Sequence, residues 1–236
     1  MNNNPRVVAI IQARLGSTRL PLKSLLCLRG IPIINWVVWR VSQSKLLADY
    51  IVAIPDTPLD QVLADHLGQR HMPYFVGSET DLVDRYIQAA RSTKADLVVR
   101  VCADNPLIWW GAIDQLISYF LEHKPDYAYN HIPRNNLWPD GLGAEILSAE
   151  LLEDLGKLAT LPSEREHCLN YIWNHASDFK IATFNPDDPA LCRPDLKLDI
   201  DTVNDFQHLA RLPFDLSIGP KEIIALMDSA KEIVDV

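Results

Sequence analysis

Apolar and polar positions along the chain change period repeatedly. Arg6 to Ala13, RVVAIIQA, is a β-branched apolar run without alternation, the pattern of a strand covered on both faces. Ile31 to Leu47, IPIINWVVWRVSQSKLL, then returns apolar residues at helical spacing. DYIVAIP, Asp49 to Pro55, predicts a second buried strand, and TPLDQVLADHLGQRH predicts a helix with Thr57 at its cap and Pro58 at its first position. MPYFVG predicts a short strand, and SETDLVDRYIQAARS a helix in which Ser78 and Asp81 are spaced as a capping residue and its partner. ADLVVRVCAD, Ala95 to Asp104, is a third buried strand that ends in an acid, and WGAIDQLISYFLEH resumes the helical period. Alternation of this kind predicts the α/β class, with a mainly parallel central sheet flanked by helices. In such sheets ligands bind beyond the carboxyl ends of the strands, where Asp104 emerges.

From about Asp126 the pattern changes. YAYNHIPRNNLWPDGLGAEIL is strand-like, polar and rich in turn residues, so 126–147 reads as a small inserted β arm serving the substrate or a dimer contact. LPSEREHCLNYIWNHA predicts a helix opening at Pro162 with a Ser163/Glu166 capping box. FKIATFN and LKLDID predict late strands, and TVNDFQHLARL and GPKEIIALMDSAKEIV predict closing helices. There is no internal repeat, low-complexity tract or linker, so one domain over 1–236 is expected.

Composition narrows the function classes. With 48% apolar and 22% charged residues the chain has the balance of a globular protein. A net charge of -9 predicts no nucleic-acid partner, because nothing in bulk would attract a polyanion. No segment approaches the roughly 20 apolar residues of a membrane helix, and the first residues lack a signal-peptide core, which predicts a cytoplasmic protein without membrane insertion. Cys27, Cys102, Cys168 and Cys192 form no CxxC motif, and the histidines show no metal spacing. The six tryptophans read as core or interface anchors.

Against this acidic background one stretch stands out. QARLGSTRLPLKS, Gln12 to Ser24, follows the first strand and concentrates Arg14, Arg19 and Lys23 around Gly16, Ser17 and Thr18. It is not a Walker loop: no second glycine precedes Lys23, and Pro21 removes an amide donor from the cradle. Its guanidinium forks suit the oxygens of a triphosphate, although a solvated basic loop paired with surface acids would carry the same residues.

IIQARLGSTRLPLKSL resembles the opening motif of the cytidylyltransferases that activate sugar acids as CMP-sugars, most of all their SpsF-like branch of spore-coat polysaccharide synthesis. VGSETDLVDRY, VVRVCADNPLI, WPDGLGAEILSAELL, SEREHCLNYI and LKLDIDTVNDF resemble the later blocks of that branch in order. The chain departs from the family pattern at Leu22, where a glycine is usual before the lysine, and at Cys102-Ala103, where Thr-Gly or Gln-Gly is usual.

The resemblance implies a Rossmann-like, glycosyltransferase-A-like fold and a specific site. Arg14 and Lys23 would hold the β and γ phosphates of CTP, with Ala13, Gly16, Ser17 and Arg19 completing the loop. Asp104 and Asp201 would hold Mg2+, and Arg14, Lys23 and Asp104 would be the catalytic set. Asp199, two residues before Asp201 on the same strand face, is a weaker candidate ligand. Asp84 and Arg85 would sit near the base or sugar of the nucleotide. Asp140 and Glu145 would meet the acceptor sugar, and Arg165, Glu166 and His167 the acceptor or a subunit interface. Each acid has a plainer explanation as a turn, capping or helix-surface residue.

The implied activity is Mg-dependent transfer of CMP from CTP to a nonulosonic or octulosonic acid in surface polysaccharide or glycan synthesis, by a homodimer, with release of pyrophosphate. Two alternatives stand beside it: a nucleotidyltransferase loading a sugar 1-phosphate from another NTP, and a nucleotide-binding module without catalysis.

Overall fold

The β-branched runs pair into a single seven-stranded sheet in the computed structural model, which describes residues 5–234. β1 (Val7–Gln12) lies in its middle, and its Val8, Ala9, Ile10 and Ile11 are wholly buried, as a run without alternation requires. A short 3-10 turn and a two-residue hairpin, β2 (Cys27–Leu28) with β3 (Ile31–Pro32), precede α1 (Ile33–Val41). β4 (Asp49–Pro55), α2 (Gln61–Gln69), β5 (Tyr74–Gly77), α3 (Leu82–Thr93), β6 (Leu97–Cys102) and α4 (Trp110–His123) then alternate as expected. β7 (Tyr127–Tyr129), β8 (Glu145–Ser148), α5 (Ala149–Leu158), the short α6 (Pro162–Glu166) and α7 (Asn170–Asn174), β9 (Ile181–Thr183), α8 (Val203–Arg211) and α9 (Pro220–Val234) complete the chain.

The strand order is β5-β4-β1-β6-β8-β7-β9. Only β8 runs against its neighbours; the other pairings are parallel. Gln12 lies level with Ala53 on one side and Cys102 on the other, so the carboxyl ends of three strands form one edge. One core layer packs Ala9, Ile11 and Val99 against Val37, Leu63 and Leu116 from α1, α2 and α4. The opposite layer packs Ile10 and Val98 against Val83, Tyr86 and Leu152 from α3 and α5. A third cluster gathers Leu20, Trp36, Leu198, Ile200, Leu209 and Ile223, and so seats the segment 196–200 beneath the basic loop. Each large apolar side chain fully buried in this way stabilises the fold by about 1.5–3 kcal/mol before entropy is counted.

Several local expectations are corrected. The 126–147 segment is not a separate arm: its ends are β7 and β8, inner strands of the main sheet, too short and too buried for alternation to reveal. The helix expected from Thr57 begins at Gln61, because the Thr57 hydroxyl bonds the Asp60 carboxylate at 2.6 Å. Ser78 caps no helix; it accepts from the Asp81 backbone amide, and Asp81 caps α3 by accepting from the Asp84 amide. After Pro162 there are two short helices without a Ser163/Glu166 box. LKLDID forms one isolated bridge, Lys197 with Asp140, and no strand. Thr202 and Asp205 do make a reciprocal capping box at α8. Trp36 and Trp138 are wholly buried, with indole N–H groups donating to Leu28 O and Phe184 O. Among the described residues no helix is long and apolar enough to cross a membrane.

Candidate active site

The basic loop leaves β1 at the carboxyl edge and alternates in exposure. Ala13 and Leu15 are buried and fasten it, while Arg14 and Gly16 face outward. Two contacts fix its path: the Leu15 amide donates to the buried Asp60 Oδ1 at 2.7 Å, and the Leu22 amide donates to Leu15 O at 3.1 Å. Leu22 adopts φ 58° and ψ 18°, the left-handed conformation that a glycine enters without a Cβ penalty. A glycine here, as the family resemblance implies, would take this turn freely, and Leu22 holds it under strain.

That turn aims Lys23 inward. Its Nζ donates to Ile200 O at 2.7 Å and to Asp104 Oδ2 at 3.0 Å, and lies 3.5 Å from Asp201 Oδ1. Arg19 Nη2 reaches the same Asp201 oxygen at 2.9 Å. Asp104, just past β6, and Asp201, just before α8, thus converge on one ammonium. Asp104 and the loop border a chamber of about 150 Å³, lined among others by Ala13, Arg14, Ser17, Arg19 and Lys23, while Asp201 is not among its lining residues. Gly16 is exposed, has open space where a Cβ would stand, and is not among the lining residues.

Behind this pair lies a wider acidic cluster. Lys197 Nζ is 3.3 Å from Asp199, 3.9 Å from Asp201 and 3.0 Å from Asp205. Asp199 Oδ1 is buried without a hydrogen-bond partner. Asp140 joins this cluster through its bridge to Lys197 and lines neither chamber; burial and the Asp199 charge push its carboxyl up to about 6. Gly141 has φ +88°, and a Cβ there would stand 2.8 Å from the Asp199 amide nitrogen, so glycine permits the close approach of the two segments. Among the described residues no three His, Cys, Asp or Glu side chains are grouped so as to hold a metal; the donor set facing one point is the Asp104/Asp201 pair.

A larger chamber, about 620 Å³, opens beside the first and shares Gln12 and Arg14 with it. Its walls are the start of α3 and the α6 region, including Asp81, Arg85, Arg165, Glu166 and His167. Arg85 is 2% exposed; Nη1 donates to Ser78 O, and Nε has no partner. Burial, with Arg14 nearby, holds the Arg85 guanidinium below its ordinary pKa. Arg165 is spent on structure: Nε donates to Asp81 Oδ2 at 2.6 Å, and Nη1 to Gly156 O and Ala159 O. Glu166 and His167 remain exposed at the rim.

Two expected residues lie elsewhere. Asp84 accepts from Gln88 on its own helix and lines neither chamber. Glu145 is buried in the sheet as the counter-ion of Arg100, with Tyr127 also donating to it. Strand pairing explains this, since Arg100 and Glu145 are register partners in β6 and β8. Two residues were missed from sequence. Gln12 carried a signal, being the polar last residue of an apolar strand at the ligand edge. Asp60 carried none, because Thr57-Pro58 already supplied an adequate helix start.

Comparison with known proteins agrees with this geometry. A cytidylyltransferase family profile matches residues 8–232. The spore coat polysaccharide biosynthesis protein SpsF of Bacillus subtilis is 30% identical over 212 residues, covering 87% of this chain and 85% of its own. A 3-deoxy-manno-octulosonate cytidylyltransferase of Bdellovibrio bacteriovorus is 35% identical over 175 residues, covering 70% of this chain and 62% of its own. The solved structure of a cytidylyltransferase from Leptospira borgpetersenii superposes with a TM-score of 0.85 at 27% identity, covering 98% of this chain and 96% of that one. A nucleotidyltransferase fold, a cationic loop at the end of its first strand and a match over nearly the whole length agree: the chain belongs to the cytidylyltransferase family.

Proposed function

We propose that this enzyme transfers CMP from CTP to a sugar acid of the nonulosonic or octulosonic type, releasing pyrophosphate, in the synthesis of a surface polysaccharide or glycan. The observation that carries the reading is the convergence of Asp104 and Asp201 on Lys23, beneath a loop that adds Arg14 and Arg19. The names of the relatives in spore coat polysaccharide and octulosonate chemistry support the acceptor class.

In this reading the triphosphate lies along the loop, with Lys23 and Arg14 on its outer phosphates. The larger chamber takes the parts of the substrates that carry no phosphate. The anomeric hydroxyl of the acceptor attacks the α-phosphorus while the bond to the leaving pyrophosphate breaks. Fixed cations meet the charge that accumulates there, and this positioning and electrostatic stabilisation are the main protein contributions to such transfers. The Asp104/Asp201 pair, with the unpartnered Asp199 Oδ1 behind it, suits Mg2+, which takes oxygen ligands and keeps several waters. Bound there, the ion neutralises phosphate charge and orients the α-phosphate.

The test is pyrophosphate release from CTP, UTP, GTP and ATP across a panel of octulosonic acids, nonulosonic acids and sugar 1-phosphates. CTP with a sugar acid should give turnover, and turnover with GTP alone refutes the proposal. Asp104→Asn and Asp201→Asn should each lower kcat by about a hundredfold or more. Unchanged rates would remove both residues from the site.

A further inference from the structure

Gln12 ends β1 and, with Arg14, lines both chambers. Arg100 Nη2 lies 3.2 Å from its Oε1. A guanidinium offers donors only, so the Gln12 amide must turn its oxygen toward Arg100. The opposite end, Nε2 with two N–H donors, is left free, and it donates to none of the described residues. Arg100 is itself anchored: it is the register partner of Glu145, whose carboxylate it pairs with through Nη1 and which also accepts from the Tyr127 hydroxyl. Although burial opposes ionisation, Arg100 holds the Glu145 carboxyl below its ordinary pKa. A chain of polar contacts thus crosses the sheet from β7 through β8 and β6 to the tip of β1. Its last free group is an amide nitrogen at the junction of the chambers.

We propose that Gln12 is a specificity residue whose amide nitrogen donates to an oxygen acceptor of a substrate spanning the two chambers, with Arg100 and Glu145 as its positioning residues. The neighbouring cations Arg14 and Arg85 favour an anionic oxygen, a phosphate or a carboxylate. The nucleotide and the sugar acid can each present one. A ligand lacking the acceptor leaves the Gln12 amide donors unpaired and is disfavoured. The identity of the substrate rests on the cytidylyl-transfer reading; the role of Gln12 does not.

The experiment compares Gln12→Met and Gln12→Glu with the parent enzyme. CTP, UTP, GTP and ATP are first titrated in the presence of Mg2+ to find the nucleotide that binds. Its Kd and the acceptor KM in pyrophosphate release are then measured for all three proteins. The glutamate variant keeps an oxygen for Arg100 but loses the donor and adds repulsion toward an anion. A substrate-reading Gln12 requires the parent to be best, methionine weaker by about tenfold, and glutamate weakest. A residue that merely satisfies Arg100 requires glutamate to equal or exceed glutamine, with methionine poorest, and that order overturns the proposal. So do three proteins alike in both constants. A rise in nucleotide Kd assigns the oxygen to the nucleotide, and a rise confined to acceptor KM assigns it to the sugar acid. If the parent binds a nucleotide other than CTP, the proposed function fails, yet the order of variants is still decided with that nucleotide. Glu145→Gln supplies the positioning test: it should raise the same constant, and its effect should shrink in the Gln12→Met background. If Glu145→Gln fails to fold, the two Gln12 variants decide the matter alone.

Discussion

The left-handed Leu22 gives a sharp quantitative test of how the loop is built. A non-glycine residue there costs about 1–2 kcal/mol relative to its ordinary conformations. Leu22→Gly removes that cost but also surrenders the side chain and adds freedom to the unfolded chain, about 0.5–1 kcal/mol for glycine. Leu22→Ala separates these effects, since it surrenders the same side chain and keeps the strain. Because Leu22 is 46% exposed, the truncation itself is mild. Strain relief less the glycine entropy leaves the glycine variant about 1 kcal/mol more stable than the alanine variant. For a chain of this size that is about 2–4 °C in Tm, measurable by calorimetry at fixed pH. Lys23 stays tethered to Asp104 and Ile200 in both, so kcat should stay within about twofold of the parent. A glycine variant melting at or below the alanine variant would refute the claim that the turn is strained.

Three further outcomes follow from the same geometry. Asp60→Ala leaves the buried Leu15 amide and the Thr57 hydroxyl without their acceptor, so it should cost about 1–3 kcal/mol in denaturant titration and raise the KM for CTP; Asp60→Asn keeps one acceptor oxygen and should cost less, and equal losses would show that the contact does not set the loop. Asp140→Asn should stabilise the ligand-free protein at pH 7.5 by about 1 kcal/mol, after allowance for solvent screening, and not at pH 4. The folded carboxyl titrates at about 6, above its ordinary 3.8, so the fold loses stability as the pH rises through that window, and equal gains at both pH values would contradict the assignment. Finally, burial pushes the Cys102 and Cys168 thiols up to about 12, leaving roughly one thiolate in ten thousand at pH 8; exposed Cys27 should react with a thiol reagent in the native state while these two stay unmodified until unfolding.

The legible parts of this molecule are those fixed by local pattern. Long apolar runs gave β1, β4 and β6, helical periods gave α1, α3 and α4, and the edge holding Gln12 and Asp104 followed from them. The resemblance of the ordered motifs implied Lys23 for phosphate and Asp104 and Asp201 for a metal; the direct contact of the lysine with both acids was not legible. What escaped were facts of pairing across distance. β7 and β8 are three and four residues long, and their place inside the sheet depends on β6 and β9, not on their own spacing. Glu145 reads as a substrate acid or a strand or turn acid, because nothing near it in sequence reveals Arg100 opposite. Arg165 looked available, yet Asp81 and two carbonyls occupy it. Asp60 is invisible for the same reason, since its partner Leu15 lies in the basic loop.

One feature of the acid pair bears on the nascent chain. Asp104 and Asp201 are separated by about a hundred residues, and their joining depends on Ile200, whose amide donates to Asp104 O at 2.8 Å and whose carbonyl receives Lys23. At about 5–20 residues per second, a ribosome exposes the loop and the first acid several seconds before the second acid exists. During that interval Lys23 has one carboxylate, and the third core cluster lacks Leu198, Ile200 and the closing helices. The contact of Lys23 with both acids therefore cannot form until the chain past Asp201 has emerged.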